Sequence, residues 1–165
     1  LVWLSRIHLC QGFGIQSPWA YSLVRNVLFE SLRYYAFDDL RQKYPNLSRK
    51  ERKRNEQLFR IVNHFKPKSV EMIGNPDEAT RNYLLPPTSH LSPFIFYYIA
   101  PFAPFPSIPT AFPDGTVIVV DDIRKSNIAI WKQLLLCHQA PAIFEMGYRG
   151  MIVFDPKRIR QVYTL

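Results

Sequence analysis

The sequence predicts an α/β fold in which N-terminal helices precede a parallel sheet that ends in an antiparallel hairpin. Apolar residues recur at helical spacing in the first 66 positions, and strand-forming and helix-forming segments alternate in the second half. Two short apolar segments then flank a glycine-containing turn. A strand followed by a covering helix, twice in succession, favours a parallel sheet whose last strands run antiparallel.

The length of 165 residues fits one compact domain with a core. We expect residues 1–66 to form a helical segment that packs on the sheet, and residues 67–165 to form the α/β core.

Capping residues define the helices of the first half. The Ser17 hydroxyl can accept a hydrogen bond from an unpaired backbone amide, and Pro18 suits the first helical position because it has no amide hydrogen. Ser48 and Glu51 have the spacing of a capping box, in which each side chain accepts from the backbone of the other residue. The predicted helices of this half span residues 18–32, 34–44 and 48–66.

The second half has one segment that stands out as a buried strand. Residues 116–120 are an uninterrupted run of β-branched side chains, apolar on both faces, as in a central strand covered by helices. Residues 86–113 hold eight of the 14 prolines and therefore form a loop or a sheet edge. Further strands are predicted at residues 69–73, 94–99, 142–146, 151–154 and 162–165, and helices at residues 79–85 and 128–135.

Charge, cysteine content and hydropathy limit the class of protein. The 21 Lys and Arg residues exceed the 13 Asp and Glu residues, giving a net charge of +8, which excludes an acidic tail protein and leaves polyanion binding open. Cys10 and Cys137 have neither disulfide-scaffold nor metal-site spacing, so a reducing, cytoplasmic location is expected. The longest apolar stretch, residues 93–105, is broken by prolines and too short to span a membrane.

Several segments resemble a known family. Residues 11–21, with the sequence QGFGIQSPWAY, are similar to the opening of a bacterial group of class I S-adenosylmethionine-dependent methyltransferases. Residues 117–124 with Trp131 resemble that group's Asp-Asp segment. Helices at residues 34–41 and 58–65, and the hairpin at residues 144–154, are similar as well. The resemblance implies a reduced Rossmann-like methyltransferase sheet with N-terminal helices and a C-terminal antiparallel hairpin.

The resemblance also assigns a cofactor pocket, with S-adenosylmethionine as the cofactor of an active member. The cofactor-binding positions it implies are Glu71, Gly74, Asn75, Asp121 and Asp122. In the family the first strand leads into a glycine-rich turn, because side chains would collide with the cofactor there. Here only Gly74 remains, and Pro76, Asp77 and Glu78 stand where family members carry glycine and small residues.

The family's ribose-binding carboxylate also lacks a counterpart. In the family, this carboxylate belongs to two strand-helix units that lie between the glycine-rich turn and the Asp-Asp segment. Here that interval is only residues 75–115, which leaves little room for both units. Residues 88–113 also contain no Asp or Glu. We therefore expect a methyltransferase-like protein that has lost cofactor binding and catalysis. No catalytic residue and no metal site is assigned.

Each of these site residues also has an ordinary structural interpretation. Asp121 and Asp122 end a buried strand at its carboxyl edge, where α/β sheets bind ligands, so they could contact a metal or a substrate. The favoured alternative is that one of them caps the helix that begins near Lys125 and the other is solvated. For Glu71 and Gly74, a bare or vestigial strand-to-helix turn is favoured over a working pocket.

The alternative function is a non-enzymatic binding module. Aromatic side chains in the proline-rich region could contact a second copy of the chain or another protein; they are Phe94, Phe96, Tyr98, Phe102 and Phe105. The predicted helix at residues 48–66 also begins with a dense basic run of Arg49, Lys50, Arg52, Lys53 and Arg54. A helix turns about 100° per residue and spreads these charges around its axis, so a nucleic-acid partner is not favoured.

Overall fold

The computed structural model describes residues 12, 14–85, 93–104, 112–137 and 142–165. The described residues divide into two compact units. The helical unit contains the described residues up to Lys66 together with residues 77–85. The α/β unit contains Pro67–Pro76 and the described residues from 93 to 165.

The described part of the helical unit contains four α-helices and one π-helical turn. The α-helices are α1 (Pro18–Leu23), α2 (Tyr35–Lys43), α3 (Arg49–Phe65) and α4 (Glu78–Leu84). The capping box predicted at the start of α3 is confirmed, because Glu51 N donates to Ser48 Oγ (3.3 Å) and Ser48 N donates to Glu51 Oε2 (2.9 Å). Lys66 adopts the left-handed conformation at φ 46° and ends α3 before Pro67, as expected.

The first helix starts as predicted but ends earlier. Ala20 N donates to Ser17 Oγ (3.3 Å), and α1 continues as a π-helical turn, Val24–Leu28, instead of reaching residue 32. Side chains of α3 explain this end. Gln57 Nε2 donates to the carbonyl of Leu28 (2.8 Å), and Arg60 Nε donates to that of Val27 (3.1 Å). These bonds satisfy carbonyls that a further helical turn would otherwise use.

Aromatic rings pack at the centre of the helical unit. Phe37 of α2, Phe59 of α3 and Tyr83 of α4 are buried, with at most 5% exposure. The rings of Phe37 and Phe59 meet edge to face with centroids 5.3 Å apart. This cluster joins three helices that are far apart in the sequence.

The α/β unit is built on a mixed six-stranded sheet in the order β1-β2-β3-β5-β4-β6. Strands β1 to β3 are parallel, β5 is antiparallel to both of its neighbours, and β6 is parallel to β4. The predicted α/β class and the closing antiparallel hairpin, β4 with β5, are confirmed. The elements are β1 (Ser69–Ile73), β2 (Ile95–Ile99), β3 (Thr116–Asp121), α5 (Ile128–Leu135), β4 (Ala142–Glu145), β5 (Arg149–Phe154) and β6 (Gln161–Thr164).

Strand β3 is central and buried along its whole length, as predicted. Ile118 and Val120 face a core that α5 covers with Ile130 and Leu134. Trp131 of α5 lies over β5, because a Cβ atom on Gly150 would come within 2.4 Å of its ring. Glycine at position 150 therefore allows the indole to lie directly on the strand backbone.

The structure describes the proline-rich region only in part. Of the proline-rich region, residues 86–92 and 105–111 lie outside the described residues. Among the described helices, none combines the length and the apolar character that crossing a membrane requires.

Candidate functional site

The parallel strands end together at one edge of the sheet. Ile73, Ile99 and Val120 occupy the same row of strand partners. The next residues along the three strands, Gly74, Ala100 and Asp121, therefore follow at the same edge. This is the carboxyl edge, where α/β proteins bind ligands.

The turn after β2 occupies the space beside Gly74. Gly74 has φ 90°, and a Cβ atom there would lie 3.1 Å from Cβ of Ala103 and 3.3 Å from Cβ of Ala100. Ala100 N donates to the carbonyl of Ile73 (2.9 Å), and Ala103 N donates to that of Ala100 (3.2 Å), which holds this turn against β1. Glycine is required here for the chain's own backbone to pass.

All three cofactor positions predicted around this turn are exposed, Gly74 among them. Glu71 is exposed within β1, and Asn75 is exposed beyond Gly74, whereas Pro76 is buried. The structure brings Glu71, Gly74 and Asn75 together with each other, and the end of β2 separates them from Asp121 and Asp122.

Asn127 fastens the ends of β2 and β3 together. The residue is fully buried, and its Nδ2 donates to the carbonyl of Ala100 (2.7 Å) and to that of Asp121 (2.9 Å). Its Oδ1 has no hydrogen-bond partner within the described part of the chain. The single side-chain amide thus bridges the strand-end carbonyls of β2 and β3 from within the protein.

Asp122 serves the local turn. Its φ is 56°, a conformation that aspartate tolerates better than most residues. Its Oδ2 accepts from Ser126 Oγ (2.8 Å) and Ser126 N (3.2 Å), and Ser126 Oγ in turn accepts from Phe102 N (3.2 Å). The loop after β3 is thereby joined to the turn after β2, so backbone turns cover this part of the edge.

Asp121 is held in a buried ion pair. Arg149 stands opposite it in the β3–β5 ladder and binds it with two bonds, Nε to Oδ1 and Nη2 to Oδ2 (2.8 Å). The Tyr98 hydroxyl donates to Oδ2 as well (2.9 Å). The Asp121 and Arg149 side chains are only 6% and 2% exposed, so the carboxylate is directed into the protein.

The electrostatics of Asp121, Arg149 and Tyr98 oppose acid–base chemistry. Burial, together with the neighbouring Asp121 carboxylate, raises the pKa of Tyr98 far above its usual value, so the phenol stays protonated. Burial disfavours the charge on Arg149, but the Asp121 carboxylate outweighs this effect and holds the arginine pKa above its usual value. A neutral phenol and a paired, buried carboxylate offer neither a base nor a nucleophile at the surface.

No protein-family model, no curated protein and no solved structure matches this chain.

The sheet order bears directly on whether a nucleotide-like cofactor fits. In open α/β sheets the ligand crevice forms where the chain order reverses, with helices on opposite sides of the neighbouring strands. Within the described residues, β1 is an edge strand and the order runs β1-β2-β3 in one direction, so no reversal occurs at Gly74. Among the described residues no such crevice is present beside Gly74, and Ala100 and Ala103 lie against the face of this glycine that a Cβ atom would occupy.

Metal binding is not indicated either. The described residues contain no group of three or more His, Cys, Asp or Glu side chains that could hold an ion. The favoured interpretation of the Asp-Asp pair, a helix cap and a solvated carboxylate, is wrong for both residues. The N-cap of α5 is Asn127 and has no side-chain cap bond, while Asp122 accepts from Ser126 in the turn before the helix. Asp121 is buried in an ion pair instead of solvated.

The aromatic residues predicted to face a partner differ in position. Phe96 and Tyr98 are 0% and 2% exposed and therefore lie inside the protein, which corrects their assignment to a surface. Phe94 is half-buried, and Phe102 is 84% exposed. Phe105 lies outside the described residues.

Sequence reasoning missed Arg149 and Asn127. A signal for Arg149 was present, because a carboxylate that closes a fully apolar strand needs a cationic partner, and arginine occurs in the following hairpin. Nothing in the local sequence marks Asn127, since its two acceptors are main-chain carbonyls on other elements.

Proposed function

We propose that this chain is a shortened relative of class I S-adenosylmethionine-dependent methyltransferases that no longer binds the cofactor or transfers a methyl group. The resembling segments at both ends of the chain support the relationship. Their described parts include the start of α1, β3 with α5, and the β4–β5 hairpin.

The contact between Gly74 and the turn after β2 is the main support for the loss of binding. A cofactor approaching the main chain from the side where a Cβ atom would lie would need the volume that Ala100 and Ala103 fill. The commitment of Asp121 to Arg149 and Tyr98 removes a second polar group from the same edge.

Isothermal titration of the full chain with S-adenosylmethionine and S-adenosylhomocysteine tests the proposal. We expect no saturable heat with either ligand at concentrations up to about 1 mM, the weak end of specific binding. A methyltransferase of proven activity, titrated in the same buffer, verifies the ligands. Saturable binding in the micromolar range would refute the loss of the cofactor site.

A crystal structure with the same ligands provides the second arm. If binding is observed, the position of the ligand decides its meaning. A molecule seated at Gly74 refutes the proposal, because the turn after β2 would then have to move away from β1.

A further inference from the structure

A basic cavity in the helical unit is independent of the sheet edge. It has a volume of about 600 Å³ and lies between the segment after the π-helical turn, α2 and α3. Six cationic side chains line it: Arg33, Arg41, Lys50, Lys53, Arg54 and Arg60. Glu30 and Glu56 are the carboxylates of its lining.

Both carboxylates already have partners. Glu56 accepts from Arg41 Nε (2.9 Å) and forms an ion pair with that guanidinium. Glu30 accepts from the Tyr34 hydroxyl (3.1 Å). Arg33 is ion-paired as well, with Asp38. Even when the pairs of Arg33 and Arg41 are set aside, the lining holds more cations than carboxylates, because Glu30 is then the one charge opposed to Lys50, Lys53, Arg54 and Arg60.

Lys50 and Lys53 lie where cations are unfavourable for the helix. They are exposed, three residues apart in the first turns of α3, and neither forms an ion pair within the part of the chain that the structure describes. The N-terminal end of a helix has a positive dipole, and like charges three or four residues apart repel each other. A bound anion would relieve both effects.

The cavity also has fixed and apolar parts. Arg60 is 9% exposed, and its bond to the carbonyl of Val27 (3.1 Å) holds the guanidinium in the wall. Leu28 and Phe37 are buried beneath the cavity, and Phe29 is half-buried beside it. Cationic walls over an apolar floor suit a ligand that has both an anionic and an apolar or planar part.

We propose that this cavity binds a phosphorylated organic ligand of nucleotide size. Phosphate fits because guanidinium groups bind it with paired hydrogen bonds and because its charge matches several cations at once. The volume is within the range of small-molecule sites, roughly 300–1,000 Å³. Such a phosphate could belong to a free nucleotide or to the phosphorylated end of a nucleic-acid strand.

Isothermal titration and phosphorus NMR with defined probes test this proposal on the full chain. The probes are inorganic phosphate, the four ribonucleoside 5′-monophosphates, ATP and unphosphorylated adenosine. We expect one-to-one binding of at least one nucleotide, at least tenfold tighter than adenosine. If no nucleotide binds more tightly than adenosine, the proposal is wrong.

A pair of charge-matched variants locates the site. Lys50→Gln with Lys53→Gln removes two charges from the cavity, and Arg124→Gln with Lys125→Gln removes two from exposed positions in the α/β unit. The first variant should weaken nucleotide binding at least tenfold, and the second less than twofold. Equal weakening in both would show attraction to net charge alone and would overturn the proposal.

Oligonucleotides distinguish the two sources of phosphate. A six-nucleotide RNA is compared with and without its 5′-phosphate. Binding that requires the terminal phosphate supports the cavity and identifies a strand end as a ligand, while binding of free nucleotides alone supports a small molecule. RNA could also bind more tightly than free nucleotides and bind equally well without its 5′-phosphate and to the variant Lys50→Gln with Lys53→Gln. That result would refute the cavity as the site. Circular dichroism verifies that every variant is folded.

Discussion

The buried carboxylate of Asp121 illustrates how residue chemistry constrains this protein. An aspartate at the carboxyl end of a parallel strand suggests a ligand contact, yet here Arg149 and Tyr98 take up its two oxygens. Removing two ions from water is unfavourable, and only their mutual pairing with good hydrogen bonds offsets that penalty. The partner comes from 28 residues further along the chain, so the residues next to Asp121 do not show which arginine pairs with it.

This pair gives a residue-scale prediction. Asp121→Asn leaves the Arg149 guanidinium buried without a counter-ion, and we expect it to lower the free energy of unfolding by about 3–5 kcal/mol. Asp155→Asn is the matched control, because it removes a carboxylate from the more exposed ion pair with Arg158 and should cost about 1 kcal/mol or less.

Urea unfolding followed by circular dichroism measures both variants of the pair. Equal destabilisation by Asp121→Asn and Asp155→Asn would contradict the structural role assigned to Asp121. A third variant, Tyr98→Phe, keeps the ion pair and removes one hydrogen bond to a charged acceptor. It should therefore fall between the two, at about 1.5–3 kcal/mol.

Secondary-structure elements could be predicted where their signals are local. The capping box of α3 and the β-branched run of β3 lie within a few residues of the boundaries they define. The end of α1 could not be predicted in the same way, because Gln57 and Arg60 act on it from 29 and 33 residues away. Sheet order is equally non-local, and it places β1 at the edge of the described sheet.

The capping box gives the element-scale prediction. Ser48→Ala should lower the free energy of unfolding by about 1 kcal/mol, because it removes the acceptor for Glu51 N at the start of α3. Ser31→Ala, at an exposed position outside the helices, is the control and should change stability by less than about 0.5 kcal/mol. Chemical unfolding at neutral pH checks this difference, and equal effects would show that the cap contributes nothing.

The Glu51 carboxyl adds a pH dependence of known sign. Hydrogen bonds from Ser48 lower the pKa of Glu51 below its usual value. A lowered pKa in the folded state stabilises the protein above the unfolded-state pKa of about 4.3, and this contribution disappears as pH falls through the folded value. Glu51→Gln should therefore destabilise the chain at pH 7 and match it in strong acid. A deficit that persists unchanged in acid would refute the ionic contribution.

At the scale of the whole molecule, the excess of 21 basic over 13 acidic residues makes self-repulsion a general property. Part of it is concentrated on α3, where Arg49, Lys50, Arg52, Lys53 and Arg54 form like-charge pairs three and four residues apart. The chain should therefore respond to ionic strength more through screened repulsion than through lost ion pairs.

Thermal and urea unfolding across sodium chloride concentrations test this balance. We expect the free energy of unfolding to rise by about 1 kcal/mol between 0.01 M and 0.3 M salt. Several like-charge pairs each destabilise the helix by about 0.2–0.5 kcal/mol, and added salt weakens their repulsion because it shortens the screening length. The variant Lys50→Gln with Lys53→Gln should start more stable at low salt and gain less from added salt. A fall in stability with salt would mean that ion pairs such as Arg41 with Glu56 outweigh the repulsion.

A comparison of phosphate with chloride at equal ionic strength separates specific anion binding from screening. Specific binding predicts that phosphate stabilises the wild-type chain more than chloride does, and that the variant Lys50→Gln with Lys53→Gln lacks this difference.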